Sequence, residues 1–297
     1  YYVDGSEQLW RVAPGEEPHL YTAGEGWEEI QIWGMGIASQ DVTDDGFPEF
    51  FVTSQGDNKL QTLETDASGP TYADIAIRRG VTAHRPFTGD NALPSTAWHP
   101  EFQDVNNDGF IDLLITNGNV EAMPEYARAD PNNLLLGQPD GKFIEGAMEA
   151  GVASLGRSRG GALADLNLDG MLDLLVVNRT ENVQLWRNVG SGDATAPEAQ
   201  GNYLAVRLEM PGPNHDAIGA WVEVQVGEHV VVRELTIGGG HAGDQLGWLH
   251  FGLGDSSSAT IRVAWPGGAG SSEWAGLAAN SFVILEPGES PQYWEAP

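Results

Sequence analysis

Cysteine is absent from the 297-residue chain, which excludes disulfide staples and thiolate metal sites. Basic residues are scarce: 14 Lys plus Arg stand against 43 Asp plus Glu, a formal net charge of −29. Without clustered Lys and Arg there is no counterion release to drive nucleic-acid binding. An anionic membrane surface repels such a chain. No apolar run approaches the ~20 residues of a bilayer span, so direct membrane insertion is not expected. The first residue is Tyr, no signal-peptide pattern is seen, and the chain reads as a mature or trimmed product.

What is present supports a folded chain. Hydrophobic residues make up 41%, with 10 Trp, 7 Tyr and 9 Phe, enough to bury a core rather than form a disordered acidic tail. The 39 Gly and 17 Pro are spread along the chain and punctuate it with turns, as in an all-β protein. Length alone suggests about two domains at ~150 residues each.

Three segments repeat: Asp41-Val-Thr-Asp-Asp-Gly-Phe-Pro-Glu49, Asp104-Val-Asn-Asn-Asp-Gly-Phe-Ile-Asp112 and Asp165-Leu-Asn-Leu-Asp-Gly-Met-Leu-Asp173. Each runs into a short apolar stretch (Phe50–Thr53, Leu113–Thr116, Leu174–Val177) that reads as a buried strand. Small-residue segments before the loops, such as Gly34–Ala38 and Gly160–Ala164, suit partner strands, and further strand signals follow at Leu60–Leu63, Leu134–Leu136 and Val183–Trp186. A fourth signal, Leu9–Val12, has no acidic loop before it. A unit of about 60 residues with several short strands fits a propeller blade better than a solenoid turn. The predicted organisation is propeller blades over 1–189, three full repeats plus a partial one. A small, polar linker at 190–201, a second β domain over 202–289 and a tail at 290–297 complete it.

Side-chain oxygens fall at positions 1, 3, 5 and 9 of each repeat: Asp41, Thr43, Asp45 and Glu49; Asp104, Asn106, Asp108 and Asp112; Asp165, Asn167, Asp169 and Asp173. Gly46, Gly109 and Gly170 hold position 6, where a tight turn needs a residue without Cβ. The next residue (Phe47, Phe110 or Met171) offers a backbone carbonyl. A curled loop of this spacing gathers five or six oxygens around one hard cation, the ligand set of Ca²⁺, and predicts about three Ca²⁺ in all. An EF-hand is excluded, because its twelfth position carries a bidentate Glu and here that position is Val52, Ile115 or Val176. The plainer alternative is a set of acidic turns, since Asp, Asn and Gly favour turns anyway. Recurrence at one period favours the metal sites.

On these motifs, residues 25 to 190 resemble the FG-GAP or VCBS-type calcium blades of integrin-like β-propellers. The tail, with Ala217–Trp221, Gly238–Gly240, Leu249–Gly254 and Ala264–Gly268, resembles the ASPIC/UnbV domain. The order of the two is similar to the cartilage acidic protein-like family. The resemblance implies a secreted, periplasmic or cell-surface location and a binding or scaffold role toward a protein partner or larger assembly, without catalysis. It also implies about seven blades, so a larger or partner-completed propeller is expected. The first loop departs from the commoner pattern at Thr43 and Glu49, which implies weaker binding there.

The competing expectation is a carbohydrate-active lyase or hydrolase using a pocket at the propeller centre. No Ser-His-Asp order, P-loop or dinucleotide fingerprint stands in a suitable context, and the seven histidines lack metal-ligand spacing. His99 with Glu101, and His241 with Asp244, are the candidate acid–base pairs. The stretch from Asn117 to Asn132, with Met123, Tyr126 and Arg128, breaks the repeat and is the candidate partner contact. Trp10, Trp33 and Trp186 lie in or beside strand signals and are expected in the core rather than on a sugar-binding face.

Overall fold

A computed structural model describes residues 7–65, 68–89, 91–121, 123–241, 243 and 246–295. The chain is nearly all β, and five small sheets are arranged as a five-bladed β-propeller. A two-residue pairing comes first, β1 (Trp10–Arg11) with β2 (His19–Leu20). This is what the Leu9–Val12 signal forms, and it is no blade.

Blade one is a meander of β3 (Gly34–Gln40), β4 (Glu49–Ser54), β5 (Lys59–Leu63) and β6 (Tyr72–Asp74), followed by one helical turn, α1 (Ala76–Arg79). Blade two repeats the plan with β7 (Ala97–Gln103), β8 (Asp112–Asn117), β9 (Asn133–Gly137) and β10 (Phe143–Glu145). Blade three has β11 (Ser158–Ala164), β12 (Asp173–Asn178) and β13 (Gln184–Trp186). All neighbours within these blades are antiparallel. Apolar runs such as Leu113-Leu-Ile115 are buried on both faces because each blade is sandwiched by neighbours. Phe51, Leu60, Phe102, Leu113 and Ile115 fill the space between blades one and two. Leu114, Leu163, Leu174 and Val176 do the same between two and three.

The polar segment at 190–201 folds back on itself: Glu198 N–H donates to Val189 O, Ser191 N–H to Glu198 O, and Asp193 accepts from the amides of Thr195 and Ala196. Beyond it come β14 (Asn202–Leu208), β15 (Trp221–Val226), β16 (His229–Glu234), β17 (Leu249–Gly254), β18 (Ser258–Ala264), β19 (Ser271–Ala278), β20 (Ser281–Leu285) and β21 (Gln292–Trp294). They make two sheets, ordered β17-β14-β20-β21 and β16-β15-β18-β19. The β14–β20 pair is parallel, unlike any pair in the first three blades. The two sheets share one core, including Leu204, Val222, Phe251, Ile261, Trp274 and Val283. The all-β propeller expectation is borne out, and the blades number five, two of the sheets being supplied by the C-terminal segment. The tryptophan expectation is corrected. Trp10 and Trp33 are 50% and 42% exposed, because β1 is too short to be covered and Trp33 precedes β3; Trp186 packs partly buried against the third blade's core.

Candidate metal loops and central cavity

The three acidic segments occupy one structural position. Each follows the first strand of its blade, and its ninth residue (Glu49, Asp112 or Asp173) opens the second strand. The backbone turns sharply twice: Gly46, Gly109 and Gly170 have φ of 86°, 93° and 82°, and Asp44, Asn107 and Leu168 at position 4 have φ of 59°, 61° and 62°. The glycine was foreseeable from spacing. The left-handed fourth residue was not, although Asp and Asn tolerate that conformation better than most.

The first carboxylate closes each loop. Asp104 accepts from Asp108 N (3.2 Å) and Gly109 N (2.7 Å), and Asp165 accepts from Asp169 N (3.1 Å) and Gly170 N (2.7 Å). Asp41 takes Thr43 N (3.2 Å) and Gly46 N (2.9 Å). The ninth carboxylate ties the loop to the sheet: Asp112 accepts from Val105 N and, across the strands, Gly137 N; Asp173 accepts from Leu166 N and Asn188 N. Glu49, one methylene longer, reaches Val42 N, Thr43 Oγ1 and Thr62 Oγ1 instead. Positions 3 and 5 pair directly, Asn106 Nδ2 with Asp108 Oδ2 (2.8 Å) and Asn167 Nδ2 with Asp169 Oδ2 (2.9 Å). Asp45 accepts from Phe47 N, as Asp108 does from Phe110 N and Asp169 from Met171 N, so these three amides are fixed.

Electrostatically the second loop is the most demanding. Asp104 and Asp112 are each 1% exposed. Burial, and then the negative charge of Asp108, push the Asp104 carboxyl up to about 7. Asp112 is raised well above the ordinary carboxylate range by burial and by Asp104. Asp41, Glu49 and Asp165 are raised, chiefly by burial. In the third loop a cation forms an ion pair, Arg187 at 3.2 Å from Asp169. Among the described residues no three His, Asp or Glu side chains converge at metal-ligand distance. Each carboxylate oxygen bonded to an amide keeps a second lone pair, and the side-chain donors of the loops are oxygens, the type a hard cation takes.

The C-terminal segment sits on loops two and three. Asn107 Nδ2 donates to Gly170 O (2.9 Å), which fixes its amide so that Oδ1 accepts from His250 Nε2 at 2.6 Å. Burial, then Arg233, push His250 down to about 3, so it is neutral. Gly254 N donates to Asn107 O (2.9 Å), and Tyr203 stacks on His250. A Cβ at Gly252 would lie 1.9 Å from Asp104 Oδ2, so only glycine admits this approach.

A cavity of about 360 Å³ lies between the first strands of the three blades and residues 233–240, 243 and 246–249. His99, Glu101 and Gln103 alternate along β7 and face it together. His99 Nε2 stands 3.5 Å from Glu101 Oε2, so the first foreseen pair is brought together. Asp244 lies outside the described residues, and His241 instead donates its backbone N–H to His99 Nδ1 (3.1 Å). The stretch 117–132 hides a carboxyl that sequence reading missed: Asp130, 1% exposed, accepts from Thr96 N at 2.8 Å, and burial pushes it up to about 7. Arg233 was also missed, since it sits in an ordinary-looking strand run.

Comparison with known proteins supports the two-part organisation. Residues 104–176 match the FG-GAP-like repeat, and residues 210–292 match the ASPIC and UnbV family. No curated protein matches the chain. Over these residues the chain is thus similar to an FG-GAP-like repeat followed by an ASPIC/UnbV domain.

Proposed function

We propose that the chain is a calcium-stabilised, extracytoplasmic interaction or scaffold module with no catalysis of its own, presenting its propeller to a protein partner or larger assembly. Propeller and FG-GAP-like repeats together fit an interaction or scaffold module. The observation that carries the calcium reading is the second loop, where burial raises the proton affinity of both Asp104 and Asp112, helped by the charge of Asp108 on the first and of Asp104 on the second. A divalent cation bound by Asp104, Asn106, Asp108, the Phe110 carbonyl and Asp112 offsets that repulsion. The corresponding ligands are Asp41, Thr43, Asp45, Phe47 and Glu49 in the first loop, and Asp165, Asn167, Asp169, Met171 and Asp173 in the third. Bound calcium supplies charge neutralisation and fixed loop geometry. The chain's own residues do the rest, since Asn107, Gly252 and His250 carry that geometry into the C-terminal segment.

Calorimetric calcium titration of the full chain tests this reading. About three sites are expected, the first weakest, and Asp108→Ala and Asp169→Ala should each delete one. Heat of binding unchanged by both substitutions would sink it. The rival reading, a carbohydrate-active enzyme, keeps one supporting observation, the His99–Glu101 pair at the central cavity; turnover on a glycan panel would favour it.

A further inference from the structure

The central cavity is built more elaborately than a scaffold requires. Glu101 enters it from β7, held by Leu163 N–H on Oε2 (3.1 Å) and Gln103 Nε2 on Oε1 (3.3 Å). Behind it stands His99, 5% exposed, whose Nδ1 accepts the His241 amide. That acceptance places the imidazole proton on Nε2, facing Glu101 at 3.5 Å. Among the described residues Nε2 has no hydrogen-bond partner. On the far side of Gln103, Arg233 spends its bonds on neutral acceptors: Nη1 on Gln103 Oε1 (2.8 Å) and His250 O (3.1 Å), Nη2 on Phe102 O (3.4 Å). Arg233 feels the charge of Glu101, yet the two form no ion pair. An acceptor and a donor of opposite sign thus face one space of about 360 Å³, with Phe50 and Trp248 as apolar walls.

We propose that this cavity binds a neutral, polyhydroxylated ligand, one pyranose unit of a sugar. Adjacent hydroxyls suit the arrangement, because one donates to the Glu101 carboxylate while its neighbour accepts from the Arg233 guanidinium. An aromatic wall suits the apolar face of a sugar ring. The volume lies in the range of small-molecule sites. A carboxylate ligand would meet both Glu101 and the −29 net charge, and an ammonium ligand would meet Arg233. A neutral ligand meets neither penalty. The acidic loops do not line this cavity.

The test is saturation-transfer NMR on the full chain in calcium buffer. The probes are the methyl α- and β-pyranosides of glucose, galactose and mannose, with glucuronate and glucosamine for charge. Two variants accompany the parent. Glu101→Gln keeps an acceptor for Leu163 N–H, and Thr236→Trp places bulk at the exposed rim; melting curves like the parent's establish that both fold. The expected result is saturable binding of at least one neutral pyranoside, tenfold or more weaker in Glu101→Gln and lost in Thr236→Trp. Binding of none of the pyranosides, tighter binding of glucuronate or glucosamine, or full affinity in either variant would overturn the proposal.

Discussion

Asp104 and Asp112 bring the residue scale into focus, for both are buried, and the charges of Asp108 and Asp104 add to the cost of ionising them. Their position predicts that removing one ligand is costly only while metal is bound. Asp108→Ala should lower the melting temperature in calcium, by the equivalent of ~3 kcal/mol if calcium stands about 100-fold above its Kd. In chelator the same variant should melt level with the parent or higher, since a repelling charge is gone; equal losses in both buffers would contradict the metal role. Asp130 makes a separate, metal-independent case. Its folded carboxyl holds a proton up to about 7, against 3.8 ordinarily. Between those values the folded state binds more protons than the unfolded state, so stability falls as pH rises through that window. Asp130→Asn should therefore gain stability near neutral pH and above, by ~4 kcal/mol at most, and gain little below about pH 4. Denaturant curves across that range check it, and a gain independent of pH would refute it.

Among the elements, the acidic loops and the strands they feed were legible because a sequence repeat imposes one local solution three times. Spacing alone places Gly46, Gly109 and Gly170 where φ is positive. What spacing hides is what covers each loop. Gly46 has open space around the position a Cβ would take, whereas a Cβ at Gly170 would fall 1.9 Å from the Tyr203 ring. Gly46→Ala should thus cost only the left-handed strain, ~1 kcal/mol. Gly170→Ala should cost a further ~1–3 kcal/mol for overpacking, because Tyr203 must leave His250. Equal losses in chemical denaturation would mean that the C-terminal segment does not rest on the third loop. The central cavity was half legible: His99, Glu101 and Gln103 share a face by simple alternation, but Arg233 comes from 130 residues away, a contact no local pattern announces. Trp10 and Trp33 misled for a related reason, since an apolar residue is buried only when something distant covers it.

Over the whole molecule, 43 acidic residues against 14 basic ones leave a net charge of −29, of which the three proposed calcium ions would neutralise six. Bulk salt screens exposed charges within about 10 Å at ~0.1 M, but it reaches buried carboxylates poorly. Sodium chloride should therefore raise the melting temperature of the metal-free chain without restoring the calcium-bound value. The architecture makes the loops a shared foundation: Asn107 bridges loop two to Gly170 of loop three and to His250 of the C-terminal segment. Loss of metal should loosen the first three blades and the C-terminal sheets together. The most direct measurement is metal content by mass spectrometry, paired with melting of the full chain with and without a calcium chelator at constant ionic strength. The account predicts about three calcium ions per chain and one cooperative transition that drops sharply on chelation. No bound calcium and an unchanged transition would reduce the loops to acidic turns and contradict it.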